Sequence, residues 1–409
     1  MSFLNQLKGQ KVYVLAGAVV AIILLSLGIG LGVGLQKTKN GSEISNLSNT
    51  PVLTSPSTVT APPTSAPTRA PTTAPRPTSA PRTTLAPRTS SPTVKVSAAS
   101  TFVFVVNGGS SSISVIDLST DTVTKNIKLN GSYPHHASMS PDKKKLIVGL
   151  PGIDLSGGHS MTSLAHGAVH GNFVVLDSTT LATIKTVELP VSNHNSIYSP
   201  DGTEIWSGQM AKNGTVLVYD STSYKLKTTI LAGLSPVEVT FSSDGLTGFV
   251  CNNAMAGTVG AINVKTKKLT TTFSVEMTPI GAWPGSNNKM YVDNVMSKTI
   301  SIIDATTLKK EPLSIALTFE PGMVAYNKLD NTVWVTDETN GAVVVFSNRT
   351  AVTTITAGAG THGIVFNANY TKAYVTNQEA NTVSVINAVL RKKIKDITVG
   401  TKPNGMVVK

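Results

Sequence analysis

The chain has 409 residues, of which 14% are charged, with a net charge of +12 and a single cysteine. One cysteine excludes an internal disulfide framework and any paired-cysteine metal motif. The charge does not mark a nucleic-acid binder: residues 1–100 carry nine basic and one acidic residue and 101–409 carry 25 and 21, so the excess forms no domain-wide basic stripe.

The first predicted element is an apolar helix. Val12 to Leu35 is a run of 24 uncharged residues, preceded by Lys8 and Lys11 and followed by Lys37 and Lys39. A helix of that length reaches roughly 36 Å, enough to cross a hydrocarbon core of about 30 Å. A cleaved signal peptide has an apolar core of about 7–15 residues and a small-residue cleavage site. This run is longer and Gly34-Leu35-Gln36-Lys37 is a poor site, so the expectation is an uncleaved signal anchor in the membrane. The pairs Gly28/Gly32 and Gly30/Gly34 offer small-residue faces through which two such helices could pack as a dimer.

Residues 37–98 form a second region, rich in Ser, Thr, Pro and Ala, with repeated units such as Ala66-Pro67-Thr68-Arg69 and Ala86-Pro87-Arg88-Thr89. It has almost nothing to bury, so it cannot offset its ordering entropy; the prediction is a disordered stalk of O-glycosylated type. The short amino-terminal tail and this composition place residues 101–409 outside the cell, on a single-pass protein of the cell membrane. Sequons for N-glycans occur at Asn40, Asn46, Asn130, Asn213, Asn348 and Asn369.

From Thr101 to Lys409 a pattern of about forty residues recurs, each copy made of four short β-type segments, which is the signature of propeller blades. The clearest copy runs through Thr361–Asn367, Lys372–Asn377, Thr382–Asn387 and Ile394–Val399. Its second segment recurs as Phe104-Val105-Val106-Asn107, Leu146-Ile147-Val148-Gly149, Ile205-Trp206-Ser207-Gly208, Phe249-Val250-Cys251-Asn252, Tyr291-Val292-Asp293-Asn294, Trp334-Val335-Thr336-Asp337 and Tyr374-Val375-Thr376-Asn377. β-Branched and aromatic residues favour strands, and a terminal Asn, Asp or Gly suits the succeeding turn. The carboxyl end, residues 403–408, reads as the first strand of a blade whose remaining strands begin near Thr101. Pairing the two ends completes a seventh blade and removes the free edges of the ring. The predicted class is therefore all-β: a seven-bladed β-propeller over 101–409, preceded by one transmembrane helix and a disordered stalk.

Aligning the first strands puts Asn404, His135, His194 and His362 at one corresponding position in consecutive blades. His136 is next to His135, and Glu238 lies one residue past the equivalent point of the next blade. First strands line the channel, and their starts lie on the face that also carries the loops between second and third strands. One such loop is abnormal: between Gly149 and Asn172 the chain inserts about twenty residues, including His159, His166 and His170. A lone histidine is ordinarily structural, but all seven in this chain fall on one face. Neutral imidazole is a common ligand for transition metals, so His135, His136, His194, His362, His159, His166 and His170 are the candidate ligands for copper, zinc or iron. Lys265, Lys267, Lys268, Lys309, Lys310, Lys392 and Lys393 fall in turns of the opposite face and read as solvated. No Gly-x-Ser-x-Gly elbow is present.

Tyr374-Val375-Thr376-Asn377 resembles the name motif of the YVTN-family β-propeller repeat of bacterial and archaeal surface proteins, and the resemblance extends over essentially all of 101–409. It implies the propeller fold and a surface location. The adjacent pair His135-His136 is similar to one in the propeller of nitrous oxide reductase, whose channel histidines hold copper; the cupredoxin domain of that family is missing here. Pro134-His135-His136 followed by Ser140-Pro141-Asp142 loosely resembles the propeller lactonases. Two functions stand as expectations: a tethered module that binds an extracellular protein, glycan or small molecule, or a metal-dependent enzyme of redox or lactone-hydrolysing type.

Overall fold

The computed structural model describes residues 102–156 and 169–409. The apolar run 12–35, the stalk 37–98, and His159 and His166 of the inserted loop lie outside the described residues. Among the described residues, no helix is long and apolar enough to cross a membrane.

The described chain forms seven antiparallel sheets of at least four strands each. Their innermost strands, blades one to seven, are Ala137–Met139, Ser196–Tyr198, Pro236–Phe241, Pro279–Pro284, Pro321–Asn327, Thr361–Phe366 and Pro403–Val408. Each innermost strand touches the next, and the seventh touches the first, so the blades close a circle. The seventh blade joins both ends of the domain: Pro403–Val408 pairs antiparallel with Phe102–Asn107, Val105 facing Met406 and Val103 facing Val408.

The two middle strands of each blade are buried on both faces, which is why they read as continuous apolar runs. Their alternate side chains feed different neighbours. Phe104 and Val106 pack with Leu146, Val148 and Val174 of blade one, whereas Val103 and Val105 pack with Tyr374, Val383 and Val385 of blade six. A separate apolar cluster of this kind fills every junction around the ring. The fourth strands, such as Thr122–Lys128 and Lys392–Thr398, face solvent and are correspondingly polar.

The terminal asparagine of the second segment does more than suit a turn. Asn107 and Asn377 are fully buried. Asn377 Nδ2 donates to Thr382 Oγ1 and Ser384 Oγ, both at 2.9 Å, and Asn107 Nδ2 donates to Ser114 Oγ at 2.9 Å. Asn294 repeats the bond to Ser301 at 2.9 Å. The amide nitrogen thus ties second strand to third at the end that carries the channel mouth, satisfying N–H donors that burial would otherwise penalise.

Candidate metal centre at the channel mouth

Five innermost strands are irregular where they enter the channel. Register shifts fall between Pro236 and Val239, Pro279 and Ala282, Pro321 and Val324, Thr361 and Ile364, and Pro403 and Met406. A bulge of this kind re-aims a side chain, and here it turns His362 and Glu238 toward the channel region. In blade one the same place is occupied by His135 and His136, bracketed by backbone bonds from His135 N–H to Gly149 O (3.0 Å) and from Gly149 N–H to His136 O (2.9 Å). Hydroxyl groups hold two neighbouring bulges: Thr336 Oγ1 donates to His362 O at 2.6 Å, and Thr376 Oγ1 donates to Asn404 O at 2.8 Å.

The result is a buried imidazole cluster. His135, His136, His194 and His362 are all at most 8% exposed. His135 Nε2 lies 3.1 Å from His194 Nε2. Ring centroids are 4.7 Å apart for His135–His136, 4.4 Å for His135–His194 and 4.9 Å for His136–His194. One ring nitrogen from each of these three lies within 4.8 Å of the others. His362 stands further out, its centroid 5.9 Å from that of His135.

A carboxylate stands behind the cluster. His194 Nδ1 is 2.6 Å from Glu238 Oε2, and His136 Nε2 is 4.0 Å from the same oxygen. Asn195 Nδ2 donates to Glu238 Oε1 at 2.7 Å, and Asn195 is itself fixed by Val239 N–H and O. Burial pushes His194 down to about 3, so its imidazole is neutral. Burial pushes Glu238 up to about 7, against the opposing pull of His136 and Asn195. With Glu238 ionised, the proton on His194 sits on Nδ1 and donates to the carboxylate. The Nε2 lone pair is then left facing His135, as a metal-ligating histidine requires.

The spacing of one pair, His135 and His194, fits a metal ion. At metal–nitrogen distances near 2.0–2.1 Å, cis ligands lie about 2.9 Å apart at a right angle and about 3.4 Å apart in a tetrahedron, and the 3.1 Å between His135 and His194 falls between them. Nearby, Trp283 Nε1–H donates to Asp293 Oδ1 at 2.6 Å, and its ring lies 6.4 Å from that of His136. Burial holds the Asp293 carboxyl well above the usual range, and burial likewise raises the Cys251 thiol, leaving it neutral.

The described stem of the inserted loop crosses this mouth. Ile153 and Leu155 pack on a cluster containing Met210 and Val237, while Asp154 Oδ2 pairs with Lys402 Nζ at 2.7 Å on the other side. A cavity of about 420 Å³ adjoins it, lined by Ser156, Glu338, Gln378, Glu379 and Lys402. His170 is elsewhere: it is exposed and lies 3.3 Å from Glu188 on the outer strand of blade one.

Sequence alignment of the first strands brought out the column of His362, Asn404, His135 and His194. The column one residue further on holds Gly363, Gly405, His136, Asn195 and Glu238. Sequence reasoning missed Asn195 and Gly405, and gave Glu238 a place without a role. Read as a whole, that second column supplies the supporting carboxylate, the amide that orients it and the glycine that makes room for them.

No family model matches the chain, and no curated protein matches it. Solved structures do. A structure of the dihydro-heme d1 dehydrogenase NirN in complex with DHE is similar over 75% of this chain and 74% of its own, with a TM-score of 0.54 at 13% identity. The hydrazine synthase of Kuenenia stuttgartiensis is similar over 66% of this chain and 88% of its own, with a TM-score of 0.53 at 16% identity. Both likenesses are to propeller proteins and concern the fold alone.

Proposed function

We propose that this chain is a membrane-tethered extracellular propeller whose channel mouth binds a transition-metal ion through His135, His136 and His194. The observation that carries the metal is the pair of facing Nε2 atoms with Glu238 and Asn195 behind one of them. A merely structural histidine needs one partner; it does not need a second imidazole at ligand spacing and a buttressed carboxylate on its far nitrogen. Three imidazole ligands leave coordination positions open, the pattern of sites that take a further ligand. The adjoining cavity supplies room for a small molecule or for the tip of a glycan or protein. Tethering rests on the run 12–35 and the stalk 37–98. The sequon residues Asn130, Asn213, Asn348 and Asn369 are exposed, in keeping with an outside location.

Metal analysis of the full-length protein tests the site. One equivalent of copper, zinc or iron is expected, falling at least severalfold in His135→Ala and in His194→Ala while the far-ultraviolet dichroism stays unchanged. A folded parent that takes up no metal from any of the three would overturn the reading. A second reading, a metal-dependent hydrolase or redox enzyme, draws on the same open positions and on Trp283 beside His136. It requires turnover of a lactone or a redox substrate that is lost in the same variants.

A further inference from the structure

Methionine side chains are usually buried, so where several are exposed together the grouping calls for a cause. Among the described residues the exposed methionines are Met255, Met277 and Met296, at 48%, 37% and 44%. All three lie on the face of the channel mouth, in loops of blades three and four. Met255 is in the loop between Thr247–Asn252 and Thr258–Asn263; Met277 lies between Lys268–Ser274 and Pro279–Pro284; Met296 lies between Lys289–Asn294 and Thr299–Asp304.

These loops are bonded to one another. Thr278 N–H donates to Ala254 O at 2.9 Å, and Val295 N–H donates to Thr278 O at 3.1 Å. Met296 N–H donates to Thr278 Oγ1 at 2.9 Å, and Met277 N–H donates to Ser297 Oγ at 2.8 Å. The backbones beneath the three side chains are therefore fixed side by side, with Met277 in the middle. A methionine has three rotatable bonds, so sulfur atoms from adjoining loops can converge on one point.

We infer that Met255, Met277 and Met296 form a thioether site for Cu(I) on the rim of the mouth. Thioether sulfur is neutral and soft; it selects Cu(I) and discriminates against Zn(II) and other harder ions. Blade three, which carries Met255, also carries Glu238 of the channel cluster. An ion held on the rim would pass to the imidazoles by ligand exchange alone, with no change of oxidation state. That transfer, and copper as the ion of the channel site, rest on the function proposed above. The rim site itself does not.

The test uses full-length protein labelled with 13C at the methionine methyl groups. Ag(I), a redox-inert stand-in for Cu(I), is titrated first, then Cu(I) under reductant, with single Met→Leu variants assigning the signals. The three methyl resonances should shift together and saturate at one equivalent, and Zn(II) should leave them in place. The triple variant Met255→Leu, Met277→Leu, Met296→Leu keeps apolar bulk and should bind Cu(I) at least tenfold more weakly with unchanged folding. In a His135→Ala, His194→Ala variant the methyl response should persist, which separates failure of the rim site from failure of the channel site. Response of fewer than three methyls, a response that does not saturate, or parental Cu(I) affinity in the triple variant would overturn the proposal.

Discussion

At the scale of single residues, the site depends on a side chain that is missing. A Cβ at Gly405 would stand 2.7 Å from His136 Nδ1 and 3.0 Å from His135 O. Gly405 N–H also donates to His135 O at 2.8 Å, so the backbone cannot move away without losing that bond. Gly405→Ala should cost about 1–3 kcal/mol through overpacking and displace His136. Bound metal should fall severalfold; a variant with parental metal content would show that His136 is not a ligand. Glu204 poses a different residue-scale problem. It is 5% exposed and is met by Lys227 at 2.8 Å, Lys267 at 2.9 Å and Trp206 Nε1–H at 3.0 Å. Burial pushes its carboxyl up, but the two lysines and the indole together outweigh burial and hold it below the ordinary value of 4.5. Lys267 is thus no solvated turn lysine, because a buried carboxylate on the neighbouring blade claims it. A depressed carboxyl contributes stability that is present above pH 4.5 and is lost as the pH falls through the folded-state value. Glu204→Gln should therefore lower stability at neutral pH by about 1–3 kcal/mol, discounted for the exposure of Lys227. It should also flatten the loss of melting temperature on acidification; an equally steep loss in the variant would reject this account.

At the scale of elements, the bulged inner strands do the positioning. Thr336 Oγ1 accepts Met323 N–H at 2.7 Å and donates to His362 O at 2.6 Å, and Thr376 Oγ1 accepts Gly363 N–H at 2.7 Å. One hydroxyl thus holds two adjacent blades by the bulge residue. Thr336→Val keeps the shape and leaves two buried backbone groups short of a partner, at about 1–3 kcal/mol each. Thr336→Ser should recover most of the loss of melting temperature; equal loss in both would show that packing, not the hydroxyl, matters there. Blade four shows how one residue can break an element. Its outer strand is split into Lys309–Lys310 and Ile315–Ala316. Pro312 lies between them and cannot donate to the ladder. The gap opens into a cavity of about 380 Å³ against blade five, where Tyr291 and Tyr326 stack at 5.8 Å and Glu311 is held by Lys289 and Arg349.

At the scale of the whole molecule, stability rests on closure. The last strand contributes Met406 to the junction with blade six and Val407 to the junction with blade one. Removing residues 401–409 would strip two blade junctions at once and expose the edge of Phe102–Asn107, a template for aggregation. The truncated chain should unfold far below the parental melting temperature or associate; an unchanged melting temperature would show that the ring does not depend on its closing strand. The same strand brings Asn404 and Gly405 to the channel, so closure and the candidate metal centre should be lost together.

The repeat, the strand identities and the ring architecture were legible in the sequence, because each depends on local pattern. A repeat of four short β-type segments, a turn every few residues and a recurring apolar second segment are properties of neighbours along the chain. The gathering of His362, Asn404, His135 and His194 at equivalent places came from the same periodicity. Periodicity placed Glu238 near them but could not weigh it, since only its approach to His194, 44 residues earlier in the chain, gives it a partner. Gly405 likewise has meaning only beside His136, which the closed ring brings against it. His170 sits on the inserted loop with His159 and His166, yet it ends on the outer strand beside Glu188. Sequence by itself determined that blades form and that imidazoles gather toward one end of the channel. Only the tertiary structure decided which of them stand within ligand distance and which carboxylate supports them, because those distances are set by bulges and blade junctions between residues remote in the chain.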